Sequence, residues 1–477
     1  MASSLSTNDN NCGVLFSQLN TNSGLRPDIV DYQDLIKIAN TTIKELTSNN
    51  SSLLVFPEVL GAFDDGIEEQ HVFDLYGNPE QLEKVVLTTG NLMGFIGIGN
   101  TQLKITSRFS KDDSQDHFMH YMLQKVFSIN LFDYKYTSGS NGELDLLMFA
   151  FPMLLKKALA QGLYKQYQTF ERNDANVKGI INVNRHIKQN IPFGGSVAYT
   201  SRERTFDNSI TELIRHTIEY IKTNPLGSEV LNCDIETKNC IREIVAATES
   251  YNLRNRDAII GKNINPINHP YYTAYKPLQK LCLSILRHKK IGFGNSRNKV
   301  YGILFDGAWL WEEYLATTLK SCGFIHPRNK AGTGAINVYS GNPRYPDFYM
   351  GKQIKNGALE QNITANFVLD AKYKHLDNHK PDTDEITGYF SRDDLHQLIT
   401  YMYIMPAKSA GLIYPYDKND SKTQAGKIVV TVDRQIYGYE GKIRTYGVPI
   451  PVKENYSDFV DYMSSIENEI SIFKWNT

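Results

Sequence analysis

Apolar residues between Tyr32 and Leu46 recur with helical spacing, at Tyr32, Leu35, Ile36, Ala39, Ile43 and Leu46, and predict one helix. Short β-like runs follow, SLLVF and then KVVLTTG. Residues 92–109 read as a hairpin: FIGI, a Gly99-Asn100 turn, then QLKIT with period-two alternation. Helical patterning dominates residues 116–167, and a β-like stretch runs over 177–183. A loop passes Pro192 and Gly194-Gly195. Beyond Asn208, Ile210, Leu213, Ile214, Thr217, Ile218 and Ile221 line one face of a helix that Asp207 or Asn208 can cap. Further helices are expected over 235–252 and 271–288. The first 25 residues, rich in Ser, Asn and Thr, read as frayed, and KKIGFGNSRNK over 289–299 reads as a linker.

The last third has a sharper pattern. In FDGAWLWEEYLATTL, Leu310, Trp311, Tyr314 and Leu315 make an apolar helical face, with Glu312 and Glu313 between them. Asp347 sits in the aromatic β-like run RYPDFYM. In NFVLDAKYK, Phe367, Val368 and Leu369 form the continuous apolar run of a buried strand. Asp370 and Lys372 are two apart, so a strand projects both to one face. In DDLHQLITYMY, Leu395, Leu398, Ile399 and Met402 make a helical stripe, and Gln397 and Tyr401 are i, i+4 neighbours. The expected fold class is α+β multidomain. Residues 1–165 are β-rich with helices, 166–295 join a β-segment to a mostly helical connector, and 296–477 form an α/β domain with a central mixed sheet flanked by helices.

These residue types suit metal-assisted phosphodiester hydrolysis of the PD-(D/E)xK kind. Asp347 and Asp370 on adjacent strands can share a hard cation, Mg²⁺ or alternatively Mn²⁺, that prefers oxygen ligands. Such a cation lowers the pKa of bound water and clamps the phosphate. Lys372 can orient or deprotonate the water or offset developing charge. Glu312 can complete the metal shell or hold a metal-bound water. A bare D/E-x-K is a weak signal, and the chain has others at Glu236-Thr237-Lys238 and Glu440-Gly441-Lys442. Neither has an apolar strand and a Pro-Asp run before it, and Pro27-Asp28 lacks the rest of the pattern.

Other candidates read more plainly. Gly94, Gly97 and Gly99 precede a strand and not a helix, so they suit turns and tight strand packing better than a phosphate loop. His117 and His120 have no third ligand and read as a solvated or partly buried helix face. His375 and His379 fall in a polar loop, and His396 on a helix surface.

Composition adds limits. The chain has 477 residues and a formal net charge of −1, so nucleic-acid contact would be a local patch or a partner's task. Five scattered cysteines, Cys12, Cys233, Cys240, Cys282 and Cys322, include no C-x-x-C and read as reduced thiols. The polar N-terminus lacks a signal-peptide core, and no apolar run approaches the roughly 20 residues of a membrane span, so a cytoplasmic protein with no membrane partner is expected.

At these motifs the sequence resembles the McrC family, the nuclease subunit of McrBC-type restriction systems. RYPDFYM, FVLDAKYK, DLHQLITYMY and GLIYP stand in that family's order. NVKGIINVNRHIKQ, RTFDNSITELIRHTI and FDGAWLWEEYLATTL also resemble McrC segments. The likeness covers roughly residues 85–440 and leaves the first 85 without a role. It implies catalytic roles for Asp347, Asp370 and Lys372, an acidic position at Glu312 found in many members, and a supporting Q-x-x-x-Y pair at Gln397 and Tyr401. It further implies docking of the N-terminal region on a hexameric McrB-like AAA+ GTPase, stimulation of GTP hydrolysis, and DNA that the partner recognises. Apart from the resemblance, pairing of two nuclease domains to cut both strands is a further expectation. Ile180 departs from the pattern, since many relatives carry a basic residue after the glycine matching Gly179. The Gly-Lys pairs at Gly261, Gly351, Gly426 and Gly441 are not followed by Ser or Thr, so the chain has no P-loop and a nucleotide motor would act in trans. Two further readings stay open: a system cutting a specific unmodified site, and a non-catalytic assembly or GTPase-activating factor.

Overall fold

The computed structural model describes residues 3–48, 52–57, 66–110, 116–128, 142–291, 300–327, 336–339, 342–351, 365–376, 390–418 and 426–475. His379 and most of the linker expected over 289–299 lie outside them. The chain divides into two compact units, Met1–Phe149 with Lys289–Thr477, and Ala150–His288.

The first unit holds a six-stranded sheet. Its labelled strands are β1 (Ser3–Asn8), β2 (Ser52–Phe56), β3 (Leu92–Ile98), β4 (Thr101–Thr106) and β5 (Val300–Asp306). The order is Asn20–Thr21, β1, β4, β3, β5, β2. β1 runs parallel to β4, with Leu5 opposite Leu103, so the segment expected to be frayed is a paired strand. Its alternating side chains bury Leu5 and Thr7, a signal that the surrounding Ser and Asn residues dilute. Val300–Asp306, grouped by sequence with the last domain, pairs with both β3 and β2.

The hairpin of β3 and β4 pairs Gly94 with Ile105 and Ile98 with Thr101. β3 is buried along its whole length. Gly94 has φ +127°, and a Cβ there would sit 2.2 Å from the Ile303 carbonyl oxygen. The glycines therefore serve strand packing, and Gly99, at φ +61°, serves the turn.

The helix expected over 32–46 is two, Ile29–Leu35 and Ile43–Ser48. Asn40 breaks it in the left-handed region, at φ 54°. Its side chain exchanges two hydrogen bonds with the Leu75 backbone, at 3.0 and 3.2 Å, which holds the break. The Pro27-Asp28 decoy is a helix cap: Asp28 accepts from Val30 N and Asp31 N. His117 and His120 lie on α1 (His117–Val126), and both are buried, so the face read as solvated or partly buried is packed.

A second sheet in this unit carries β6 (Phe348–Met350), β7 (Phe367–Ala371), β8 (Ser409–Tyr416), β9 (Val429–Gln435) and β10 (Lys442–Pro449). The order is β6-β7-β8-β10-β9, with β7, β8 and β10 parallel and the two edges antiparallel. Helix α2 (Gly307–Leu319) buries Leu310, Trp311, Tyr314 and Leu315, and Asp306 caps its first turn. Helix α3 (Arg392–Ile404) buries Leu398, Tyr401 and Met402. Ile399 points outward at 39% exposure, so Tyr401 takes the place in the buried stripe that periodicity gave to Ile399.

The second unit joins a three-stranded antiparallel sheet, built on Gln166–Asp174, Ile180–Ile181 and Val197–Thr205, to helices that include Ser209–Lys222, Ile235–Ala247 and Tyr275–Ile291. Gln166–Asp174 is mostly exposed, so little apolar alternation marks it and the expected helical stretch runs over its start. The Glu236 decoy lies in the first turn of Ile235–Ala247, whose N-cap is Asp234. Among the described residues no helix is long and apolar enough to cross a membrane.

Candidate active site

The candidate residues meet where β7 ends beside α3. β7 is an apolar run flanked by β6 and β8, and its ladder closes at Ala371 opposite Ile413. Asp370 is 1% exposed. Lys372 Nζ stands 2.7 Å from Asp370 Oδ2 and donates to Gln397 Oε1 at 3.1 Å. Gln397 Nε2 donates to Asp370 Oδ1 at 3.0 Å and to Tyr401 Oη at 3.1 Å. Tyr401 Oη in turn donates to the Tyr345 carbonyl at 2.9 Å. Asp347, one residue before β6, accepts from Ala371 N through Oδ2 at 2.7 Å. Antiparallel pairing of β6 with β7 thus brings the two acids together.

Burial pushes the Asp347 carboxyl well above the usual carboxylate range, and the nearby Asp370 and Glu312 push it further. Asp370 is also raised, by burial first, although Lys372 opposes the rise. Burial works against the Lys372 ammonium, but Asp370, Asp347 and Asp394 outweigh it and hold the lysine protonated.

Glu312 lies on α2, with Oε1 3.9 Å from His326 Nδ1. Among the described residues no group of three or more His, Cys, Asp and Glu converges to hold a metal ion. Two close carboxylates, both raised by burial, nevertheless suit a hard divalent cation. Mg²⁺ keeps several waters and often uses only one or two protein carboxylates. Asp347 and Asp370 are the residues that would hold it, and Glu312 adds its charge beside Asp347.

Two groups were not marked by the sequence pattern. Asp394 pairs with Lys374 Nζ and stands 3.5 Å from Lys372 Nζ. Its one sequence signal is the S-x-x-D capping spacing from Ser391. His326 Nδ1 lies 2.8 Å from the Asp347 carbonyl oxygen, and its ring stacks on Phe348 at 4.9 Å. His375, expected in a polar loop, packs on Phe109 with centroids 4.4 Å apart, whereas His396 is exposed.

Residues 87–415 match the family described as McrBC 5-methylcytosine restriction system component. The chain belongs to this family. No curated protein matches the chain. Among solved structures, the chain is similar to one in a refined half-complex from a tetradecameric assembly of Thermococcus gammatolerans McrB AAA+ hexamers with bound McrC. Identity there is 13%, the TM-score is 0.45, and the match covers 97% of this chain and 100% of that one. A second likeness is to a chain in the cryo-EM structure of the Thermococcus gammatolerans McrBC complex. It has 12% identity and a TM-score of 0.31, and covers 66% of this chain and 87% of that one. Membership of the McrBC family agrees with the resemblance carried by the sequence motifs.

Proposed function

We propose that the chain is the McrC-type endonuclease subunit of an McrBC restriction system, a PD-(D/E)xK enzyme that hydrolyses DNA phosphodiesters with Mg²⁺. The observation that carries this reading is the convergence of Asp347, Asp370, Lys372 and Gln397 at the end of one buried strand. When bound, Mg²⁺ supplies Lewis-acid activation of water and of the phosphate. Asp347 and Asp370 bind and orient that cation. Lys372, held protonated, offsets the negative charge that builds on the phosphate. Gln397 fixes the directions of Asp370 and Lys372, and Tyr401 fixes Gln397.

The chain lacks a P-loop, so a GTP-dependent AAA+ partner of the McrB type assembles with it and selects the DNA, most simply cytosine-methylated DNA given the family. Restriction of foreign DNA is the biological outcome, and the chain stimulates its partner's GTPase. The test combines purified chain, partner, GTP, Mg²⁺ and methylated DNA. Cutting that Asp370→Ala and Lys372→Ala abolish, with the complex intact, supports the proposal. Undiminished cutting by both variants sinks it.

A further inference from the structure

Lys372 lies one residue past the last ladder pair of β7, where only its own N–H, donating to the Ile413 carbonyl at 2.9 Å, continues the sheet. A strand end with one bond is free to twist, and a twist redirects a long side chain. The next residue removes that freedom. Side chains alternate along a strand, so Asp370 and Lys372 project to one face and Tyr373 to the other. Tyr373 is 6% exposed and is gripped by the N-terminal sheet.

The grip is extensive. Arg108 Nη1 donates to the Tyr373 carbonyl at 3.2 Å, and the guanidinium lies over the tyrosine ring, 4.9 Å from its centroid. Ser107 Oγ and Tyr373 Oη share a hydrogen bond of 2.6 Å. The Phe109 ring meets the Tyr373 ring edge-on at 5.1 Å. Behind Tyr373 lies Gly307, where a Cβ would sit 2.6 Å from Tyr373 Cε1, at the start of the helix that carries Glu312.

Arg108 is itself fixed. It donates to Asp9 Oδ2 from Nε at 3.0 Å and from Nη2 at 2.6 Å, and to Asn91 Oδ1 at 2.6 Å. The Asp9 side chain is wholly buried. Asp9 follows directly on β1, and Arg108 lies just beyond β4, its parallel partner. A fork held on both sides is rigid, and a carboxylate so buried requires such a partner.

We propose that Arg108 and Tyr373 are positioning residues through which the N-terminal sheet sets the direction of Lys372. The inference rests on the role given to Lys372 in the proposed nuclease site. It also assigns a task to the first strand, which holds Arg108 through Asp9.

Tyr373→Phe keeps the ring and removes the bond to Ser107, and Arg108→Lys keeps a cation for Asp9 but loses the fork on Asp9 and the Nη1 bond to the Tyr373 carbonyl. Two measurements test them in the full chain. The first is reductive methylation of Lys372 followed by mass spectrometry, with exposed Lys442 as the internal reference. The second is DNA cutting in the assembly with the GTPase partner and Mg²⁺. Labelling of Lys372 relative to Lys442 should rise in both variants. Turnover should fall about tenfold, with KM for DNA changed less than about twofold, because misdirecting a reacting group by a fraction of an ångström is costly. The thermal midpoint of Tyr373→Phe should stay near wild type. Unchanged labelling and turnover in both variants, while Lys372→Ala abolishes cutting, overturns the clamp. Raised labelling with full cutting by Lys372→Ala instead overturns the nuclease role and leaves the clamp as geometry.

Discussion

Gln397 donates from Nε2 to Asp370 Oδ1 at 3.0 Å, and that bond turns the amide carbonyl toward Lys372. The orientation of the amide follows from its neighbours. Lys372 can only donate, so Oε1 must face it, and Nε2 is left for Asp370 and for Tyr401 Oη. Gln397→Glu replaces a donor by a second carboxylate beside a buried acid. Turnover should fall by about ten- to a hundredfold through lost positioning. Stability should fall by about 1–3 kcal/mol through the unpaired buried group. Cutting assays with chemical denaturation check both, and wild-type turnover in the Glu variant would remove Gln397 from the site.

Asp347 and Asp370 make stability depend on pH and on divalent cations together. Burial, then each other's charge in the case of Asp347, raises their carboxyl groups above the ordinary value of 3.8. A carboxyl raised in the folded state binds a proton that the unfolded chain has released. Its stabilising effect is complete below pH 3.8 and is lost as pH rises through the folded value. A cation in place of the proton should restore what is lost. Mg²⁺ should therefore raise the thermal midpoint more at pH 8 than at pH 5, and Asp347→Asn should abolish the difference. Equal Mg²⁺ shifts at both pH values in the wild type would count against a cation held by these acids.

The candidate residues could be assigned to their elements from sequence because a buried parallel strand and an amphipathic helix both write a strong local pattern. FVLD and DLHQLITYMY could be placed without knowledge of their neighbours. Asp394 was illegible because one residue does two jobs, capping α3 and pairing with Lys374, and only the cap leaves a spacing. His326 and Arg108 were illegible for another reason. Their partners are backbone carbonyls and an acid 99 positions away, and such contacts have no period. β1 was read as frayed because its ladder partner lies almost a hundred residues downstream. The break at Asn40 interrupts a helical pattern that is otherwise unbroken, since Ile38 and Ala39 stay buried on either reading.

Asp394 should separate its two jobs by substitution. Its carboxylate completes a capping box with Ser391, accepting from Ser391 N at 3.3 Å, and neutralises Lys374 beside Lys372. Asp394→Asn keeps an acceptor for the cap and removes the charge. Asp394→Ala removes both. The Ala variant should lose about 1 kcal/mol more stability than Asn, the usual worth of a cap. Both should lower turnover, because Lys374 would then compete with Lys372 for Asp370. Restored cutting in Asp394→Asn with Lys374→Met, measured against Asp394→Asn alone, identifies that competition. No restoration would show that the charge of Asp394 acts by another route.

The second unit carries its own acid sensitivity at His216, fully buried in the helix Ser209–Lys222. Burial, with the charges of Arg256 and Arg215, lowers the imidazole from 6.5 to about 4. The folded unit therefore holds it neutral, packed 4.7 Å from the Tyr251 ring centroid. The unfolded chain takes up a proton below pH 6.5, so the contribution is whole above that value and is lost as pH falls through 4. The loss by pH 4 is on the order of 3 kcal/mol. Hydrogen exchange of the amides of Ser209–Lys222 should report it locally, with opening free energy falling between pH 6.5 and 4 after correction for intrinsic exchange. His216→Leu cannot titrate and should flatten that slope. An equal slope in the two proteins would assign the acid sensitivity above pH 4 to groups other than His216, and Asp234 is not one of them. Burial raises the Asp234 carboxyl, but Lys156 and the Thr237 N–H pull it down to about 2, so its contribution is lost only as pH falls from 3.8 through about 2. The two windows barely meet, which lets a single pH series tell the groups apart.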